Sequence, residues 1–252
     1  MKKLIVTFNV EKEFNFNPPP SLESFRYAAY RWGCDFLEIK VLDTPKWTEV
    51  GRLLTLNRFS NYDAVLMLDY DTVITGNAPN IFDLYFNPEQ LSLTKDGNPG
   101  RLDTSFLHND DWFKNVIIKN ISEINNSIFL FESLIPNFNK KLYFDNYVNC
   151  GVMLGSPKKF KELFDLIINF GKSQILHLEE KTSLFEQNIF NAIVSSYNFD
   201  INFLPNEWNW IAPDYWGTSW DKFSSQQKCA YIYHFAGAEY SKERLFSFNW
   251  WN

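Results

Sequence analysis

Asp69 and Asp71 stand one residue apart in "AVLMLDYDTVITGN" (64–77), directly after five apolar residues. An apolar run of that length predicts a buried strand, and side chains i and i+2 of a strand point the same way. The two carboxylates are therefore expected to converge just beyond the strand's end. Held that close they repel each other, and without a cation one takes up a proton. A divalent ion removes the conflict. Oxygen ligands favour Mg²⁺ or Mn²⁺, and an added imidazole tilts the choice towards Mn²⁺. The plainer alternative is a turn, because "DYDTVITGN" also has the residue types of one.

The elements around this pair set where it sits. "LIVTF" (4–8) predicts a first strand, and Pro18-Pro19-Pro20 stops any earlier helix. In "SLESFRYAAYRWG", Leu22, Phe25, Ala28, Ala29 and Trp32 share one helical face, with Ser21 as the candidate cap and Gly33 as the stop. A strand over 35–41, a helix over 46–60 and the strand at 64–68 follow. This β-α-β-α-β order implies a parallel, twisted sheet with helices on both faces. Open α/β sheets bind ligands at the carboxyl edge of their strands, which is where Asp69 and Asp71 would lie.

Further along, strands are expected over 91–94, 150–154, 201–204 and 230–235. The spacing predicts helices over 156–172 and 183–196. In the first, Ser156 caps, Pro157 opens, Gly171 ends, and Phe160, Leu163, Phe164, Ile167 and Ile168 form the apolar face. Residues 97–145 keep no clean period and read as an irregular insertion with a helix or two. No linker or repeat divides the 252 residues, so a single α/β domain over 1–252 is expected.

The formal charge is −6 and the pI about 5.2, with no Lys/Arg-rich run, which argues against general nucleic-acid binding. Any bound anion must then be held by local groups or a metal. Cys34, Cys150 and Cys229 are odd in number and lack ligand spacing, as expected of free thiols in a reducing compartment. The apolar run after Met1-Lys2-Lys3 is too short for a signal peptide, and no stretch approaches the roughly 20 apolar residues of a membrane span. A soluble, cytoplasmic protein is the expectation.

Two unlike chemistries use an apolar strand followed by Asp-x-Asp. "VLMLDYDTV" resembles the signature of haloacid-dehalogenase-type phosphatases, in which the first Asp is the nucleophile and the second the acid/base. That motif normally follows the first strand, and an acidic pair at a later strand end is missing here. In nucleotide-sugar glycosyl transfer the pair instead holds a metal on the donor diphosphate. That chemistry asks for further matches downstream, in order.

They are present. "YDAVLMLDYDTVITGNAPNIFDL", "NCGVMLGSPKKF", "FEQNIFNAI", "LPNEWN" and "YIYHFAGAEYSK" follow one another as the motifs of GT-A glycosyltransferases of family 8 do. The chain thus resembles the glycogenin and bacterial lipopolysaccharide galactosyltransferase type from residue 4 to about residue 242. The resemblance implies a single GT-A (Rossmann-like) domain with a mostly parallel central sheet flanked by helices. It implies a hexosyltransferase that takes a UDP-sugar as donor, uses Mn²⁺ or Mg²⁺, retains anomeric configuration and glycosylates a glycan or protein hydroxyl.

Residue by residue, the resemblance makes Asp69, Asp71 and His234 the metal ligands. A His closing the apolar strand "YIYH" can meet the aspartates across a cleft. Thr7, Phe8 and Asn9 match positions that hold uracil and ribose, and Tyr70 one that touches ribose. Arg52 matches a basic contact to donor phosphate or sugar, and Asp96 a contact to sugar hydroxyls. Asn149 and Gly151 would line the sugar pocket, and Gly237 the diphosphate. Glu186 and Gln187 stand where the family has Asp-Gln; Gln187 would lie beneath the anomeric carbon and stabilise an oxocarbenium-like transition state through its carbonyl oxygen.

The family's closing Lys falls at Tyr240 here, with Lys242 two residues on as its replacement. No tyrosine is assigned as the glycogenin self-glucosylated residue, so the resemblance is not to glycogenin itself. Trp- and Tyr-rich segments at 206–220 and 246–251, with the 97–145 insertion, are the candidate acceptor walls. A non-catalytic sugar-nucleotide or glycan-binding protein of the same fold is the alternative.

Overall fold

Leu4, Val6 and Phe8 alternate with Ile5 and Thr7, and this alternation sends side chains to two separate cores. Strand β1 (Lys3–Asn9) is thus covered on both faces, as the unbroken apolar run requires. The computed structural model describes residues 1–9, 20–40, 59–95, 128–129, 131–133, 135–178, 185–197, 199–211 and 230–235, with 168–178 and 185–186 by backbone alone. The expected helix over 46–60, apart from its last two residues, and most of the 97–145 insertion lie outside them.

Helix α1 (Pro20–Trp32) buries the face read from the sequence: Leu22, Phe25, Ala28, Ala29 and Trp32. Pro20 opens it, so Ser21 lies inside the first turn instead of capping it, and its Oγ is buried without a hydrogen bond. Gly33, at φ 62°, ends the helix. Cys34 N donates to Ala29 O and Gly33 N to Tyr30 O, a pattern that needs a left-handed residue. β2 (Asp35–Lys40) and β3 (Ala64–Leu68) both pair with β1 in parallel, as expected. β4 (Thr72–Ile74), α2 (Ile81–Tyr85) and β5 (Leu91–Lys95) follow.

Helix α3 (Lys140–Asp145) leads into β6 (Val148–Gly155), which is buried throughout. Helix α4 (Pro157–Leu178) is capped by Ser156, whose Oγ accepts from Lys159 N, and continues seven residues beyond Gly171. A glycine inside a helix costs only about 1 kcal/mol, and "KSQILHL" is helix-compatible on its far side. Phe160, Leu163, Phe164 and Ile167 are buried as read. Helix α5 (Phe185–Tyr197) and β7 (Ile201–Leu204) come next. A 3₁₀ turn (Asn206–Trp208), β8 (Trp210–Ile211) and β9 (Ile232–His234) complete the described elements.

The main sheet runs β2-β1-β3-β6-β5-β7. Three of its five neighbouring pairs are parallel; β6 is antiparallel to both β3 and β5. One face carries α4 and α5 over Leu4, Val6, Val65, Met67 and Met153, and the other carries α1 over Ile5, Leu66, Val152 and Leu154. Within β6 the phase changes: Val148 and Cys150 share a core with Met153, an odd separation. The break falls where the partners on β5 jump from Thr94 opposite Asn149 to Leu93 opposite Met153. A second sheet, β4-β9-β8, stands beside this irregularity.

Candidate metal centre

The chain leaves β3 at Leu68 and turns at once. Thr72 N (3.1 Å) and Thr72 Oγ1 (2.8 Å) both donate to Asp69 O, closing a tight turn from the main sheet into β4. Asp69 and Asp71 thus converge through a turn and not by strand alternation. The turn reading and the paired-carboxylate reading hold together. The turn is pinned at both ends: Asp69 N donates to Gly151 O on β6, and Phe235 N donates to Asp71 O, each at 2.9 Å.

Antiparallel pairing of β4 with β9 sets Thr72 opposite His234, and β8 flanks His234 on the other side. The imidazole reaches back over the turn, with Nε2 3.3 Å from Asp71 Oδ1 and 3.8 Å from Asp69 Oδ2. One ligand atom from each residue lies within 4.8 Å of the others. The imidazole is buried, whereas the carboxylates are 25 % and 28 % exposed, so the cluster opens to solvent on the carboxylate side. Two carboxylates and an imidazole are a donor set for a divalent cation.

The backbone of β6 makes room for the ring. A β-carbon at position 151 would stand 2.3 Å from His234 Cε1 and 2.5 Å from Nδ1. Only glycine permits this approach. Beneath the ring, His234 Nδ1 lies 3.1 Å from Asn209 Oδ1, and Asn209 Nδ2 donates to Asn149 Oδ1 at 2.8 Å. Asn149 Nδ2 donates in turn to Gln187 Oε1 at 3.2 Å, and Cys150 N to the same oxygen at 3.3 Å. Helix α5 is fixed to β6 by Asn191, whose side chain accepts from Val148 N and donates to Val148 O.

The ends of β1 and β2 form a neighbouring cluster. Asn9 Nδ2 lies 3.2 Å from both Glu38 Oε1 and Tyr70 OH, and Tyr70 OH donates to Glu38 at 3.0 Å. Burial, and next the Glu38 carboxylate, push the Tyr70 phenol well up. Thr7 Oγ1 donates to Leu68 O, tying β1 to the last residue before the turn, and the Phe8 side chain packs into the core.

The structure thus brings Asp69, Asp71 and His234 together, sets Asn149, Gly151 and Gln187 behind them, and places Thr7, Phe8, Asn9 and Tyr70 alongside. Glu186 shares α5 with Gln187, its side chain not among those described. Arg52, Asp96, Gly237 and Lys242 lie outside the described residues. Sequence reasoning passed over Asn209 and Glu38. Asn209 closes the "LPNEWN" segment, but nothing in its spacing shows what it bonds.

No sequence-family model and no curated protein sequence matches the chain. Solved structures do. The chain is similar to a glycosyltransferase involved in glycosylation of the major capsid of PBCV-1, with a TM-score of 0.58 at 13% identity, over 98% of this chain and all of that one. The fold is the GT-A glycosyltransferase fold. The GT-A resemblance extends to galactosyltransferase LgtC, solved with donor and acceptor sugar analogues (TM-score 0.52, 13% identity, 98% of this chain and 96% of that one). It extends also to the bifunctional glycosyltransferase WbbM (0.53, 16%), where 94% of this chain spans 46% of that chain. Among the described residues no helix is long and apolar enough to cross a membrane.

Proposed function

We propose that this chain is a metal-dependent glycosyltransferase that moves a hexose from a UDP-sugar to a hydroxyl of a glycan or protein, with retention of anomeric configuration. One observation carries the reading: Asp69, Asp71 and His234 meet at the carboxyl edge of a GT-A sheet. The residues present fit a divalent ion, because the donor set is oxygen-rich with one imidazole and Gly151 vacates the space the imidazole needs. Mn²⁺ or Mg²⁺ there would offset charge developing on a departing nucleoside diphosphate.

The remaining residues divide by position. Asn9 and Tyr70, with the main chain at Thr7 and Phe8, whose side chains are buried, would form the nucleoside side. Asn149 and Gly151 on β6 and Gln187 on α5 form the sugar side. Gln187 Oε1, which accepts from Asn149 Nδ2 and Cys150 N, is the atom that would stabilise positive charge growing at the anomeric carbon. Glu186 would contact sugar hydroxyls. Arg52, Asp96, Gly237 and Lys242 complete the proposed donor contacts. Retention follows from front-face displacement, in which the departing diphosphate takes the acceptor proton and no separate general base is needed.

The test is the melting temperature with nucleotides and sugar nucleotides, each with and without Mn²⁺. A saturating ligand should stabilise the protein by about 2–4 kcal/mol. Stabilisation by UDP that requires Mn²⁺ supports the donor site, and transfer from the best UDP-sugar separates an enzyme from a binding protein. No response to any nucleotide sinks the proposal.

A further inference from the structure

We infer that Asn209 is a positioning residue: it fixes which ring nitrogen of His234 carries the proton and joins that ring through Asn149 to Gln187. The inference rests on reading Asp69, Asp71 and His234 as metal ligands. Its own support is a set of hydrogen bonds whose polarity can be worked out from the backbone.

The two ends of a side-chain amide look alike by shape, so their assignment comes from partners that admit no choice. A backbone N–H only donates. Gly151 N bonds Asn149 at 2.8 Å, so the Asn149 atom there is its oxygen. Cys150 N bonds Gln187 at 3.3 Å, so that atom is Oε1, and the Asn149 nitrogen 3.2 Å from it is the donor. The Asn209 atom 2.8 Å from Asn149 Oδ1 must then be Nδ2. Its oxygen is left facing His234 Nδ1 at 3.1 Å, and an acceptor there requires a proton on Nδ1. The nitrogen that faces the carboxylates is therefore Nε2, and a neutral ring so arranged presents its lone pair where a metal ligand needs it.

Burial makes the arrangement binding. Asn209 is 4% exposed, Asn149 7% and His234 3%, so water does not readily replace a lost partner and an orphaned amide is costly. Asn209 is itself held by its neighbours. Its N–H closes the 3₁₀ turn onto Asn206 O, and Trp208 before it packs between the Tyr85 and Tyr231 rings at 5.8 and 4.9 Å. A change when a donor enters would reach His234 through three hydrogen bonds from Gln187, or two from Asn149.

The experiment uses the full chain labelled with ¹⁵N, in which only 3 histidines need assignment. Long-range ¹H–¹⁵N spectra of the metal-free protein should show a proton on Nδ1 of His234. Asn209→Leu should lose it, and Asn209→Asp, which keeps an acceptor, should retain it. Mn²⁺ titration followed by electron paramagnetic resonance is the second readout. Asn209→Leu should bind about tenfold or more weakly, whereas Asn209→Asp should keep the parent's affinity despite losing its donor to Asn149. A bare Nδ1 in the parent, or an Asn209→Leu protein that keeps both the Nδ1 proton and full Mn²⁺ affinity, overturns the inference. If the parent binds no Mn²⁺, the metal reading falls by itself, and the ring spectra of parent and Asn209→Asp still decide the role of Asn209. Those two also decide it if Asn209→Leu does not fold.

Discussion

The imidazole of His234 occupies the space that any side chain at position 151 would fill: a β-carbon on Gly151 would lie 2.3 Å from His234 Cε1. Strand β6 thus serves the centre by omission. The resemblance assigned Gly151 to the sugar pocket; its geometry shows a prior task, which is to seat the ring.

Gly151→Ala should therefore damage the site more than the fold. The ring is buried and held at Nδ1, so it has little room to retreat. Overpacking of this kind costs about 1–3 kcal/mol, and a shifted imidazole no longer meets the carboxylates. A folded protein with a lowered Tm and Mn²⁺ affinity reduced about tenfold or more is the expected result. Unchanged affinity would show that the ring moves freely.

Asp71→Asn should abolish Mn²⁺-dependent stabilisation by UDP while leaving Tm without ligand within a few degrees. Asp71 is part-exposed, and its main-chain bond from Phe235 N survives the substitution. Loss of apo stability comparable to a core truncation would instead mean that the carboxylate acts structurally. The phosphatase signature makes a contrary demand, that Asp69→Asn abolish release of inorganic phosphate independently of nucleotide; no such activity is expected.

Stability should fall above about pH 9. Burial pushes the Cys34 thiol from 9.0 up to about 12, and burial likewise raises the Tyr143 phenol. Both folded-state values lie above the unfolded ones, so the folded chain keeps protons that the unfolded chain releases. Their contribution is intact below the unfolded thiol value and is lost as pH climbs through the folded one. Urea unfolding between pH 7 and 10.5 should show this decline, with a shallower slope in Cys34→Ala. Alkylation of Cys34 in the native protein at pH 8 should be slow, since the thiolate is the reactive form.

Phe25→Ala should cost about 3–5 kcal/mol. The ring is fully buried on the inner face of α1, 6.1 Å from Phe36. Denaturant unfolding measures the loss, and a cost below 1 kcal/mol would mean that α1 closes over the cavity.

Much of this was legible because burial writes itself into residue order. The five apolar residues before Asp69 and the helical spacing of Leu22, Phe25, Ala29 and Trp32 report a face and a period. The aspartates were read correctly as a pair but for the wrong local reason, since a strand ends at Leu68 and the turn to Thr72 does the converging. The antiparallel entry of β6 was not legible, because strand direction depends on the long stretch before it and not on "CGVML" itself. Asn209 was hidden for a different reason. An asparagine is ordinary in any loop, and only the meeting of β6 and β9 gives its amide two partners.

Among the described strands, β6 joins the two halves of the main sheet, with β3 on one side and β5 on the other, and it also carries Asn149 and Gly151. Until it docks, two sheet edges stand open and ready to pair with other chains. Its docking joins residues about ninety apart in sequence at β3 and about sixty at β5, the kind of non-local closure that slows folding. The same step that removes those edges seats the imidazole. A refolding trap short of it is therefore both sticky and inert, and recovered metal binding should track recovered solubility.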